Sequence, residues 1–132
     1  HLSLAWGTYV ANVHQELPSE TQRTADERLK ACAAFVDAHF AEHVSLADIA
    51  AAAGIGKSEC ARVFRRCLQT SPYAYLTGVR LSRATDLMQE GELTLSAIAH
   101  ATGFGSPSHF SNAFRKAFGI SPKAYLAELR QG

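Results

Sequence analysis

Long apolar runs are missing. Nowhere in the 132 residues do eighteen apolar side chains follow one another, so the sequence offers no membrane-spanning helix. Cysteine is scarce: Cys32, Cys60 and Cys67 make an odd count with no CxxC spacing. That speaks against a disulfide framework and against a zinc site, and reduced thiols in a cytoplasm are the plain expectation. His39 and His43 lack paired ligand spacing and read as solvated or packed side chains. No signal-peptide pattern opens the chain. No nucleophile–base pair stands in a motif context, and no glycine-rich phosphate loop is present. The expectation is therefore no enzyme, no catalytic residue, no bound metal and no cofactor. The chain starts at His1 rather than Met, and reads as a fragment or processed piece of a longer protein.

What is present is one domain's worth of chain, or a small domain with an appendage. The apolar content of 47% is ordinary for a globular fold, so a core can be built. The net charge of +1 conceals an asymmetry. Up to His43 there are three Lys/Arg against six Asp/Glu; from Val44 onward there are ten against six. An anionic partner would meet the second part.

In chain order, Leu2, Trp6, Tyr9, Val10, Val13 and Leu17 share one helical face. Residues 18–22 break it. This helix either folds back on the domain after it or ends an absent upstream domain. Thr24 is expected to cap the next helix, with Asp26 and Glu27 in its first turn. Its apolar stripe is Leu29, Cys32, Ala33, Val36 and Phe40. Ser45 and Asp48 form a capping-box-like start to an alanine-rich helix ending near Ala53. Gly54 then supplies a turn at positive φ. A helix from Lys57 to Leu68 has two stripes. Cys60, Val63, Phe64 and Cys67 make an inner one, the cysteines serving as packing rather than redox groups. Ser58, Ala61, Arg62 and Arg65 make an outer one that is too small and too cationic to be core. Helix, glycine turn, helix is the helix-turn-helix pattern.

Ser71 and Pro72 open a long helix that Gly91 closes. From Pro72 to Glu90 it spans roughly 28 Å at about 1.5 Å per residue, and Gly78 inside it costs roughly 1 kcal/mol against Ala. Beyond it the first pattern recurs. Leu46, Ile49, Ala50, Ala52, Gly54 and Gly56 return 49 residues later as Leu95, Ile98, Ala99, Ala101, Gly103 and Gly105. Phe64, Arg65, Ser71, Pro72, Ala74, Tyr75 and Leu76 return 50 later as Phe114, Arg115, Ser121, Pro122, Ala124, Tyr125 and Leu126. Thr94 and Ser106-Pro107 cap the two helices of the second copy. Its inner stripe is Phe110, Ala113, Phe114 and Ala117, with Phe118 alongside; its outer stripe is Ser108, Ser111, Asn112 and Arg115. The pattern implies an all-α fold class: two helix-turn-helix subdomains on a long linker helix, plus an N-terminal helix. The divisions are 1–22 for that helix and its linker, 23–70, 71–91 and 92–132.

The stretch from Ile98 to Pro122, with its IA…GF…S.F…F…FG.SP spacing, resembles the DNA-binding domain of the AraC/XylS family of bacterial transcription regulators. So does Ser71-Pro72…Tyr75-Leu76…Arg80-Leu81…Ala84…Leu87 in the linker. The likeness runs from Val44 to Leu129. It implies a homeodomain-like, duplicated fold whose two recognition helices enter successive major grooves of double-stranded DNA. It also implies a cytoplasmic regulator that works with RNA polymerase and senses any small-molecule effector only through an absent upstream domain. The fragment would be monomeric, and the full-length protein dimerises where that upstream part does so. Ser58, Ala61 and Asn112 depart from bulkier or basic residues common in the family, so base preference should be this protein's own.

Under that reading Arg62 pairs with guanine through two hydrogen bonds and Asn112 does the same for adenine. Ser58, Ser108, Ser111 and His109 contact bases or phosphates, and Ala61 touches a thymine methyl. Lys57, Arg65, Arg115 and Lys116 clamp phosphates, giving affinity without sequence information. The N-termini at Leu46 and Leu95 offer N–H groups to phosphates. One turn of duplex is roughly 34 Å, longer than the linker helix, so bent DNA is expected. The competing reading is an all-helical protein–protein module. It is disfavoured because interface cores are depleted in charge.

Overall fold

The computed structural model describes residues 19–131. Among them lie seven helices and no strand: α1 Glu20–His39, α2 Leu46–Ala52, α3 Lys57–Leu68, α4 Pro72–Glu90, α5 Leu95–Ala101, α6 Pro107–Phe118 and α7 Pro122–Gln131. The stripe from Leu2 to Leu17 lies outside the described residues. Chain packing separates two compact units. One holds Val44–Gly78 with the described residues through His39; the other holds Val79 onward together with Phe40–His43.

Local chemistry sets most helix starts. Ser45 accepts from Asp48 N while the Asp48 carboxylate accepts from Ser45 N, closing a reciprocal box. Thr94 and Ser106 accept from Ala97 N and His109 N, and Ser71 and Ser121 accept from Ala74 N and Ala124 N. Each oxygen satisfies a donor that the first turn would otherwise leave open. The expected cap at Thr24 is wrong. Ser19 accepts from Gln22 N, the helix begins at Glu20, and the Thr24 hydroxyl donates back to the Glu20 carbonyl at 3.0 Å. A division at 22/23 therefore crosses the first turn of α1.

In the first unit α1, α2 and α3 pack on one another. Leu29, Cys32 and Val36 of α1 bury with Ile49 and Ala50 of α2 and with Cys60, Val63, Phe64 and Cys67 of α3. From the start of α4, Tyr75 lays its ring 5.6 Å from that of Phe64, and Leu76 is buried. Phe40 falls beyond α1 and is half-buried rather than part of its stripe.

The second unit has its own core of Leu81, Ala84, Met88, Ile98, Ala99, Phe104, Phe110 and Phe114. Rings run from Phe104 through Phe110 to Phe114, the first pair tilted at 5.3 Å and the second edge-on at 5.8 Å. Ala117, expected inward, is exposed, and Phe118 keeps 39% of its surface while its ring stays 4.6 Å from Phe114. The inner stripe of α6 therefore ends one turn early, while Tyr125 and Leu126 of α7 pack against the cluster that holds Phe110 and Phe114. Arg80 is buried: its Nε donates to the Phe40 carbonyl at 2.7 Å and its Nη2 to the Glu42 carbonyl at 3.0 Å. One guanidinium fork thereby fastens residues 40–43 to α4.

Candidate nucleic-acid interface

The candidate surface consists of the outward faces of α3 and α6, each taken within its own unit. On α3 the inner stripe is fully buried, which fixes the helix rotation and turns Lys57, Ser58, Ala61, Arg62 and Arg65 to solvent. On α6 burial of Phe110 and Phe114 does the same for Ser108, His109, Asn112, Arg115 and Lys116. Ser111 is half-buried. Ten of the eleven residues picked from sequence are thus exposed, and each set lies on one helix.

The side chains are not equivalent. The Arg62 guanidinium has 71% of its side-chain surface exposed and is gripped by Glu59, three residues earlier on the same helix. Glu59 Oε1 accepts from Arg62 Nε at 3.0 Å and Nη2 at 2.6 Å. Glu59 Oε2 accepts from Arg28 Nη1 of α1 at 2.9 Å. The hydrogen bond from Arg62 leads in holding the Glu59 carboxyl below its ordinary range, and the charges of both arginines add to it. Glu59 and Arg28 were missed in sequence. The i, i+3 spacing of Glu59 and Arg62 was a readable signal; Arg28 lies 31 residues from Glu59 and gave none. Arg66 turns the other way, its Nε donating to Gln22 Oε1 of α1 at 3.2 Å. Between α1 and α3, Arg28, Glu59, Arg62 and Arg66 rim a groove of about 680 Å³.

On α6, His109 is exposed but tied back. Its Nδ1 lies 2.9 Å from the Phe104 carbonyl, and its ring meets that of Phe104 edge-on at 5.4 Å. It steadies the turn before the helix as well as edging the surface. The N-termini of α2 and α5 already spend one first-turn donor each on their cap hydroxyls. Beside α5, a cavity of about 440 Å³ is lined by Thr94, Ser96, His100, Ser106 and neighbours.

The thiols of Cys32 and Cys60 are buried in the core of the first unit. Burial pushes the Cys60 thiol up to about 12, assisted by neighbouring Cys32, and raises Cys32 as well. Cys32 Sγ donates to the Ile49 carbonyl at 3.4 Å. These thiols pack, as the inner stripe predicts. Among the described residues no group of three or more His, Cys, Asp or Glu could hold a metal ion. No helix among them is long and apolar enough to cross a membrane.

Known proteins resemble this chain in sequence and in fold. A helix-turn-helix domain family model matches residues 49–128. The uncharacterized HTH-type transcriptional regulator YdeC of Bacillus subtilis (strain 168) is 30% identical over 124 residues, covering 94% of this chain and 43% of that protein. The HTH-type transcriptional activator RhaS of Enterobacter sp. (strain 638) is 34% identical over 107 residues, covering 81% of this chain and 37% of its own. A crystal structure of an AraC-type DNA-binding-domain regulator from Chromobacterium violaceum superposes with a TM-score of 0.73 at 32% identity, over 80% of this chain and 95% of that one. The DNA-binding domain of AdpA, crystallised with a target DNA, gives a TM-score of 0.74 at 28% identity, over 78% of this chain and 93% of its own. The chain spans less than half the length of the curated relatives it matches first.

Proposed function

Because the chain belongs to the AraC/XylS type of helix-turn-helix family, we propose that it binds double-stranded DNA selectively and thereby regulates bacterial transcription. Helices α3 and α6 would each lie in a major groove, where every base pair presents a distinct pattern of donors and acceptors. The observation that carries the reading is the duplication itself. Each unit buries the inner face of its helix, through Cys60, Val63 and Phe64 on α3 and through Phe110 and Phe114 on α6, and exposes small, polar or cationic side chains at the equivalent positions Ser58, Arg62 and Arg65 and Ser108, Asn112 and Arg115. Arg62, Asn112, Ser58, Ser108, Ser111, His109 and Ala61 would meet base edges. Lys57, Arg65, Arg115 and Lys116 would meet phosphates, setting register and affinity. The successive-groove arrangement, the cytoplasmic site of action, contact with RNA polymerase and control by an effector domain upstream belong to the same proposal.

Selection of bound sites from random duplexes at a stated salt concentration tests it. A two-part recognition sequence is expected, with affinity falling steeply as salt rises because phosphate contacts release counterions. For Arg62→Ala the expected loss is about 1–3 kcal/mol, with relaxed preference at one base pair. Weakening that is uniform across sequences would make Arg62 a phosphate contact. Salt-insensitive binding of a protein in place of DNA would overturn the reading in favour of a protein–protein module.

A further inference from the structure

We propose that Glu59 is a positioning residue that sets the base specificity of Arg62, and that Arg28 holds Glu59 in place for that task. The inference rests on the DNA-binding reading above and deepens it. A guanidinium has two edges able to make paired hydrogen bonds to a base or a carboxylate: the side edge of Nε with one Nη, and the terminal edge of both Nη groups. Glu59 Oε1 takes the side edge of Arg62, through Nε at 3.0 Å and Nη2 at 2.6 Å. The terminal edge is the one left to pair with the O6 and N7 acceptors of guanine. Arg62 by itself is a long side chain with many rotamers, and it is the most exposed member of the triad at 71%. Held by Glu59, it meets the groove in one orientation and gives up less freedom on binding.

Glu59 would be a poor anchor if it swung freely. Its second oxygen receives Arg28 Nη1 at 2.9 Å, from a helix whose buried Leu29 and Cys32 fix it against α3. Glu59 and Arg28 are each about one-third exposed on their side chains, so the bridge sits at the edge of the groove between α1 and α3. An ionised carboxylate facing DNA also repels phosphate. Glu59 should therefore weaken non-specific association while sharpening choice, and this combination of signs separates it from a residue that merely supports the fold.

The experiment uses the whole chain and random-duplex selection, followed by titration of the selected site and of single-base variants at one salt concentration. Arg62→Ala first identifies the base pair that Arg62 reads. Glu59→Ala is expected to lose on the order of tenfold discrimination at that same base pair, with non-specific affinity tighter. The double variant Glu59→Ala/Arg62→Ala should discriminate no worse than Arg62→Ala alone. Arg28→Ala should give a smaller loss at the same position. Glu59→Gln, which keeps an acceptor and the side-chain size, should keep part of the discrimination. Full discrimination by Glu59→Ala, or equal weakening of every sequence, overturns the inference while leaving DNA binding intact. A wild-type chain that selects no sequence overturns the DNA-binding reading itself, and this inference with it.

Discussion

Gly54 and Gly103 occupy the same position in the two repeats, yet alanine should cost very different amounts at each. Both have positive φ, +67° and +86°. That backbone region alone costs an L-residue about 1–2 kcal/mol. At Gly54 an added Cβ meets nothing within 4 Å, so the backbone cost is the whole cost. At Gly103 the Cβ falls 2.5 Å from the Phe40 carbonyl oxygen, 2.9 Å from Arg80 Nε and 3.1 Å from the Ala41 carbonyl carbon. The carbonyl is backbone and is itself bonded to Arg80 at 2.7 Å, so room can be made only by breaking that bond. A hydrogen bond to a charged group contributes about 1.5–3 kcal/mol. Gly103→Ala should therefore destabilise by about 2.5–5 kcal/mol and Gly54→Ala by about 1–2 kcal/mol. Urea denaturation followed by far-UV circular dichroism measures the totals. Amide hydrogen exchange at Phe110 and Phe114, against Cys60 and Phe64, locates the loss in the second unit. Equal losses for the two variants would refute the reasoning.

Arg80→Lys retains the charge but not the fork, so it cannot hold both the Phe40 and Glu42 carbonyls in the same geometry; a loss of about 1.5–3 kcal/mol in urea melts is expected, and wild-type stability would contradict it. Ser45→Ala removes the reciprocal cap of α2 and should cost about 1 kcal/mol by the same measurement. Stability should also fall as pH rises above about 9. Burial carries Cys60 from its ordinary 9.0 to about 12. Burial, with the Asp37 charge second, carries Tyr75 from 10.0 to about 12. Both groups stay protonated in the folded chain over a range where the unfolded chain releases protons, so their contribution is complete below the unfolded values and is lost as pH climbs through the folded ones. Cys60→Ala should flatten the first part of that decline, and a urea midpoint that does not move between about pH 8 and 11 would contradict the assignment.

Helix boundaries were legible where capping is local. Ser45 with Asp48, Thr94, Ser106-Pro107 and Ser71-Pro72 all cap as their sequence predicts, because donor and acceptor lie three residues apart. Thr24 misled because a threonine before acidic residues looks the same whether its hydroxyl caps a helix or bonds back to the carbonyl four residues earlier. Arg80 stood in the sequence only as one position of the family-like pattern in the linker, since its partners lie 40 and 38 residues upstream and no periodicity reports them. The candidate surface was legible for a related reason. A fully apolar inner stripe fixes which way a helix faces, so Ser58, Arg62 and Arg65 were placed by the burial of Cys60, Val63 and Phe64. What was not legible is how those outer side chains engage one another, because the Arg28–Glu59 half of the triad joins separate helices.

The four residues from Phe40 to His43 precede the first repeat in sequence but pack with the second unit. The duplication is therefore braided. A gene fragment opening at Val79 would encode every helix of the second repeat yet omit the carbonyls that Arg80 needs. One excision cannot free that half as a portable module, and swapping it into a relative requires transplanting a short upstream passage along with it.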